Sequence, residues 1–330
     1  MKVVWRILKS ATISVAIYFA IALGLVVSQG PTDLSGAGGL DFSETTENPI
    51  ESVTKTTPYT ARDGTALQQR IYRSTAQNPP LLILLHGSGW HGLQFDALAR
   101  RLSDVATVVV PDLRGHGFDP VRRGDVDYIG QLEDDISDLI TTHSRAGQKV
   151  ILAGHSSGGG LVVRFAGGRH GALIYRAILL APFLKYNAPT TRPNSGGWAQ
   201  PLTRRIIGLT MLNALKITRL NDRTVIQFNF PQTVLDGPLG ATATAAYSHR
   251  LNTSFAPRND FLADIAALPE FLLIVGTADE AFVASEFQPV MSAVNPNGRY
   301  KLVNGVSHLG VVDAPQTALA IKEFIAEIGG

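Results

Sequence analysis

The stretch Val150-Ile151-Leu152-Ala153-Gly154-His155-Ser156-Ser157-Gly158 is a short apolar run that ends in a glycine-flanked serine. Four apolar residues suit a strand buried on both faces, and Gly158 to Ala166 reads as a helix. A strand that turns sharply into a helix strains the backbone at the serine. Glycines two residues to either side let the neighbouring elements come close. The Ser156 hydroxyl would then project from the carboxyl edge of a sheet. The amino terminus of the following helix brings a positive dipole end and free amides to the place where an oxyanion would develop, Ser157 N–H among them.

Outward from this turn the pattern repeats. Ser52 to Thr60 and Leu67 to Arg73 are β-prone runs separated by Arg62-Asp63-Gly64, a hairpin signal, and read as opening antiparallel strands. Short buried runs follow at Leu81 to Leu85, Thr107 to Val110, Val150 to Ala153, Ala177 to Leu180 and Phe271 to Val275, with a last strand near Tyr300 to Val303. Helices are predicted between them over Gln94 to Asp104, Ile129 to His143 and Gly158 to Ala166, and after Pro315. Such alternation predicts an α/β fold, a mostly parallel sheet with helices on both faces. Phe183 to about Leu262 breaks the rhythm with clustered Pro and Gly, an amphipathic stretch from Leu202 to Leu220 and little strand pattern. It reads as an insertion above the sheet that forms the substrate pocket.

A neutral serine hydroxyl is a weak nucleophile and needs a base. Of eight histidines, His308 lies just after the last strand in Asn304-Gly305-Val306-Ser307-His308-Leu309-Gly310, where a loop can return over the sheet edge. His143, His170 and His249 are expected on helix or insertion surfaces, His116 in a Gly-flanked loop, and His155 with its side chain pointing away from the serine. The base in turn needs a carboxylate to fix its tautomer. Asp279 sits just beyond the strand Phe271 to Val275, with Glu280 as its competitor, whereas Asp112 reads as an anchor for its own loop. His86-Gly87-Ser88-Gly89-Trp90 follows the strand Leu81 to Leu85 and can supply a second oxyanion amide, from Ser88 or alternatively Gly89. His86 would order that loop. Trp90 and Phe183 would either line an acyl pocket or pack beneath the insertion.

The 330 residues, 45% hydrophobic and 17% charged, suffice for one sizeable core with an insertion. A net charge of +2 without a basic run argues against a nucleic-acid partner, and no cysteine is present for disulfide, thiolate or iron–sulfur chemistry. Lys2, Arg6 and Lys9 precede an uncharged stretch with an apolar heart from Ala11 to Val27, about 17 residues and near the lower limit for spanning a bilayer. Residues 1–28 therefore read as a membrane anchor or a cleaved signal segment. The basic flank keeps the amino end in the cytoplasm and exports residues 49–330. Residues 29–48 read as a flexible tether.

Taken in order, His86-Gly87-Ser88, Pro111-Asp112-Leu113-Arg114-Gly115-His116-Gly117, Gly154 to Gly158, Asp279 and His308 resemble the α/β-hydrolases of the monoacylglycerol lipase, lysophospholipase and serine aminopeptidase-like group. The resemblance covers about residues 50 to 328. It implies an eight-stranded sheet, a helical cap from Phe183 to about Leu262, and cofactor-free hydrolysis of a small-molecule ester through an acyl-enzyme. Ser156, His308 and Asp279 would form the triad, with the Ser88 and Ser157 amides as oxyanion donors. Perhydrolysis or peptide cleavage would use the same triad, and a binding protein could retain the fold. The amino-terminal apolar segment is not shared across the group, and nothing in the insertion names a substrate or an oligomeric state.

Overall fold

In a computed structural model of the chain, residues 1–34, 39–42 and 54–328 are described. The apolar runs form strands: β1 (Thr57–Thr60), β2 (Ala66–Tyr72), β3 (Leu81–Leu85), β4 (Thr107–Pro111), β5 (Val150–His155), β6 (Arg176–Leu180), and later Phe271–Gly276 and Gly298–Val303. Part of the first expected strand, residues 52 and 53, lies outside the described residues. Ala61 and Thr65 close the expected hairpin with Gly64 at φ +84°, a conformation that glycine adopts without cost.

These strands make one sheet of eight. Its order is β1-β2-β4-β3-β5-β6, then Phe271–Gly276, then Gly298–Val303. The pairings β1–β2 and β2–β4 are antiparallel and the remainder are parallel. Every residue of β3, β5 and Phe271–Gly276 is buried, as strands covered on both faces require. An apolar helix α1 (Lys2–Val27) stands at the amino end, and the helices of the α/β layers include α2 (Asp96–Leu102), α3 (Gln131–His143) and α4 (Ser157–Ala166). From β3 the chain leaves to one side for β4 and returns to the other for β5. The loops after β3 and β5 therefore diverge, and a crevice opens between them at the carboxyl edge. Ser156 and the loop from His86 to Trp90 sit at that crevice.

The insertion after β6 is not wholly helical. It carries a three-stranded antiparallel sheet, β7 (Ala199–Pro201), β8 (Thr224–Phe228) and β9 (Ala246–Ser248), beside α5 (Thr203–Ala214). The outer strands have three residues each, too few for an alternating pattern to register in the sequence.

The expectation of a flexible tether over 29–48 also changes. Residues 35–38 and 43–48 lie outside the described residues, but the described parts are held to the fold. Gln227 accepts from Thr32 N–H and donates to Thr32 O, and Gln29 accepts from Arg204 N–H. Leu40 and Phe42 are buried and Asp41 N–H donates to Glu280. The physical reason lies in the sequence Leu40-Asp41-Phe42: two large apolar side chains one residue apart gain more from burial than the extended segment loses in freedom.

α1 is a single helix of 26 residues, long and apolar enough to cross a membrane. Its residues from Lys2 to Ile17 are exposed, while Ala22 and Val26 are buried against Leu209 and Leu212 of α5. Tyr18 Oη donates to Met211 O and Arg205 Nε to Val26 O. Gly208 permits this approach, since a Cβ there would lie 2.5 Å from Ala22 O and 2.8 Å from Val26 Cγ2. Gly208→Val is expected to separate α1 from α5 at a cost of about 1–3 kcal/mol, read as a lowered Tm in detergent. An unchanged Tm would show that the helix pair adds nothing to stability.

Candidate active site

Ser156 stands at φ +54°, ψ −122°, a strained backbone conformation for a residue with a Cβ. Its surroundings leave no alternative. A Cβ on Gly154 would lie 2.3 Å from Gly158 O, and one on Gly158 2.2 Å from Leu85 O and 2.5 Å from His86 O. Both glycines are thus required by backbone packed against backbone, and α4 starts directly after the serine. Ser156 N–H donates to Leu180 O, and Ser156 O accepts from Phe183 N–H and Gly160 N–H. The turn is pinned from both sides.

His308 Nδ1 lies 2.8 Å from Asp279 Oδ2, and both side chains are buried. The other oxygen of Asp279 accepts from Ala281 N–H at 2.8 Å and Phe282 N–H at 2.7 Å, which aims the carboxylate at the imidazole. Glu280, the competing acid, serves the backbone instead: Oε2 accepts from His308 N–H at 2.7 Å and Oε1 from Asp41 N–H at 2.8 Å. Ser156 and His308 line one cleft with Gly87, Trp90, Gln94, His155 and Leu309, closed over by Leu40 and Phe42.

The expected oxyanion donors are placed less completely. Gly87, rather than Ser88, lines the cleft, and a Cβ on it would be 3.2 Å from Ser156 Cβ. Ser88 Oγ accepts from Trp198 Nε1 at 3.2 Å. Among the described residues the N–H groups of Ser88 and Ser157 donate to no protein acceptor, whereas Gly89 N–H donates to Tyr247 Oη at 2.6 Å. Of the two amides considered in that loop, Gly89 is committed elsewhere. Trp90 lines the cleft; Phe183 packs 6.4 Å from the Phe282 ring.

His155 is buried, and its ring packs 4.6 Å from that of His308. Nε2 donates to His308 O at 2.9 Å while Nδ1 accepts from Gln94 Nε2 at 2.7 Å. Gln94 Oε1 in turn accepts from Gly87 N–H at 3.2 Å. A continuous polar chain thus runs from the loop after β3, through Gln94 and His155, to the backbone of His308. Sequence reasoning missed Gln94, because a lone Gln at the start of a helical stretch has no local mark of its role. His249, expected at the surface, is buried, and His143 is bonded to Gln69.

The alpha/beta hydrolase family model matches residues 82–321. The chain belongs to this family. Among solved alpha/beta hydrolase structures it is similar to a soluble variant of monoglyceride lipase from Saccharomyces cerevisiae in complex with a substrate analog. That likeness has TM-score 0.65 and 15% identity, covering 86% of this chain and 97% of that one. An esterase from Thermogutta terrifontis aligns with TM-score 0.56 and 19% identity over 83% of this chain and 99% of its own. In sequence, 98 residues are 31% identical to an uncharacterized protein of Mycobacterium tuberculosis, 30% of this chain and 28% of that protein. The chain therefore spans less than a third of the length of these curated relatives.

Around the site this alpha/beta hydrolase buries four imidazoles in neutral form. Burial pushes His86 down to about 3 and His91 to about 4, and holds His116 and His155 well below their ordinary range. His86 Nε2 accepts from Leu113 N–H and Nδ1 donates to Gly87 O, so it orders the loop as expected. His116 accepts from Tyr247 Oη, and Asp112 anchors its own loop through Arg70 and Gly92 N–H. Each of the four is neutral when folded yet takes a proton near pH 6.5 when unfolded. Their stabilisation is therefore complete above that pH and lost below it, by up to about 1.4 kcal/mol per pH unit for each histidine until its folded value is reached. The denaturant midpoint should fall steeply between about pH 7 and about pH 5. A flat midpoint over that range would show that these imidazoles titrate freely in the folded chain.

Proposed function

We propose that the protein is a serine hydrolase that cleaves carboxylic esters of apolar, lipid-derived acids through an acyl-enzyme, with Ser156 as nucleophile, His308 as general base and Asp279 as its carboxylate partner. The observation that carries this reading is the Asp279–His308 pair at 2.8 Å, with His308 and the strained Ser156 lining one cleft. A carboxylate on Nδ1 keeps the proton there, so the lone pair of the imidazole is on Nε2, the nitrogen available to take the serine proton. His308 accepts that proton as Ser156 Oγ attacks the ester carbonyl. Its charge is then balanced by Asp279, which two backbone N–H groups already hold in place.

The tetrahedral oxyanion falls to the Ser157 and Ser88 amides. Ser157 begins α4, where the first N–H groups have no helical partner and the dipole is positive. Collapse transfers the proton from His308 to the leaving alcohol, and a water molecule repeats the cycle to release the acid. No cofactor is used in either half.

Apolar substrates are favoured by the cleft, whose walls include Leu40, Phe42, Trp90 and Leu309. The fold's likeness to a monoglyceride lipase and an esterase agrees with an ester substrate. α1, with mean hydropathy 2.2 over its apolar window and Lys2, Arg6 and Lys9 at its start, would hold the catalytic domain at a membrane on the exported side. Its pairing with the cap helix α5 brings the cap to that surface.

Ser156→Ala is expected to abolish p-nitrophenyl ester turnover, on the order of a 10⁶-fold loss in kcat, with an unchanged circular dichroism spectrum. Retained turnover, or a preference of the wild type for peptide amides, would overturn the assignment. Gln94→Ala removes the link between Gly87 and His155 without touching a reacting group. It should lower kcat on the order of 10- to 100-fold with KM little changed, and an effect confined to KM would contradict a positioning role.

A further inference from the structure

We infer that Leu40 and Phe42, which belong to the segment between the apolar helix and the hydrolase domain, contact the acyl group and set the size of substrate that the site accepts. This rests on the esterase reading above and adds two specificity residues to it, from a part of the chain that precedes the first strand of the sheet.

Leu40 and Phe42 are 9% and 8% exposed, and both line the cleft that holds Ser156 and His308. The cavity they leave measures about 30 Å³, far below the several hundred Å³ of an ordinary ligand pocket. The other walls are held from within the hydrolase domain. Gly87 is held by Gln94, His155 by Gln94 and His308 O, and Trp90 lies on the His91 ring at 5.2 Å. The Leu40–Phe42 segment is the wall contributed from outside that core, and its position sets the free volume.

Phe42 is wedged where the oxyanion loop meets the cap. Its ring centroid is 6.2 Å from Trp90, 5.7 Å from Trp198 and 5.6 Å from Phe230. The wall is also tied to the proposed base, because Glu280 accepts from Asp41 N–H with one oxygen and from His308 N–H with the other. Shortening the Phe42 side chain would open a ring-sized apolar space beside Ser156, bounded by Trp90 and Trp198 and suited to an alkyl chain. Enlarging it would close what room there is.

The test uses the full chain in detergent, with p-nitrophenyl acetate, butyrate and octanoate as substrates and a fluorophosphonate probe as a separate report on Ser156. Phe42→Ala should raise the ratio of octanoate to acetate kcat/KM by about tenfold or more, and Phe42→Trp should lower it. Leu40→Ala should shift the ratio in the same direction as Phe42→Ala. If Phe42→Ala fails to fold, Phe42→Leu carries the same expectation at reduced size. A ratio within about twofold of wild type in variants that label at the wild-type rate would overturn the wall assignment and leave the esterase reading intact. A folded wild-type chain that neither labels nor turns over any ester would overturn the esterase reading, and the wall assignment with it.

Discussion

The rest of the structure depends on one close approach of backbone to backbone. Gly154 and Gly158 bring the start of α4 within contact of Leu85 O and His86 O, and no side chain larger than hydrogen fits at either place. That approach forces Ser156 into its positive-φ conformation and sets the β3 loop beside it. The strain has to be carried by surrounding structure, and it is: β5 and β3 are buried throughout, and Leu180 of β6 and Phe183 just beyond it bond the serine backbone. Rigid strands and a conformation that only a packed core can hold are two aspects of the same arrangement.

Around that turn the polar groups act as a connected set rather than as three separate side chains. The proposed base is held at its ring by Asp279, at its N–H by Glu280 and at its carbonyl by His155. Gln94 then couples His155 to Gly87, beside the serine. The side-chain polar atoms of Gln94 and His155 each have a partner, which a low-dielectric site requires, since an orphaned group there costs more than a formed bond contributes. Neutral imidazoles suit the same requirement: burial keeps His155 uncharged, so it does not compete with His308 for positive charge.

The buried strands were legible because a strand covered on both faces must be apolar at every position, as Leu81–Leu85 and Phe271–Val275 are. The Ser156 turn was legible because its glycines answer to a steric rule. Other features answer to partners distant in sequence. Nothing near Gln94 announces that it joins Gly87 to His155, and nothing near Leu40 announces a cleft formed by residues 87, 156 and 308. A stretch such as residues 29–48, rich in Gly, Ser and Thr, reads as a tether by composition. Its few large apolar residues decide otherwise once a complementary surface exists. The short strands of the cap escape for a related reason, since three residues carry no measurable period.

Continuity of the chain links these observations. α1 ends at Val27, packs its last turns on the cap helix α5, and is followed within fifteen residues by Phe42 on the proposed acyl site. Thr32 is meanwhile bonded to Gln227 of the cap strand β8, so the segment is fastened to the cap before it reaches the cleft. A displacement of the cap relative to the sheet would therefore act on α1 and on the Leu40–Phe42 wall together. The Asp41–Glu280–His308 bonds place the same wall one carboxylate away from the proposed base. In this arrangement the apolar helix and the proposed substrate wall are adjacent in sequence and share one set of supports. An enzyme of the proposed kind, drawing apolar esters from a bilayer, would gain from that proximity, because the helix at the surface that supplies the substrate and the wall that admits it are fastened to the same cap.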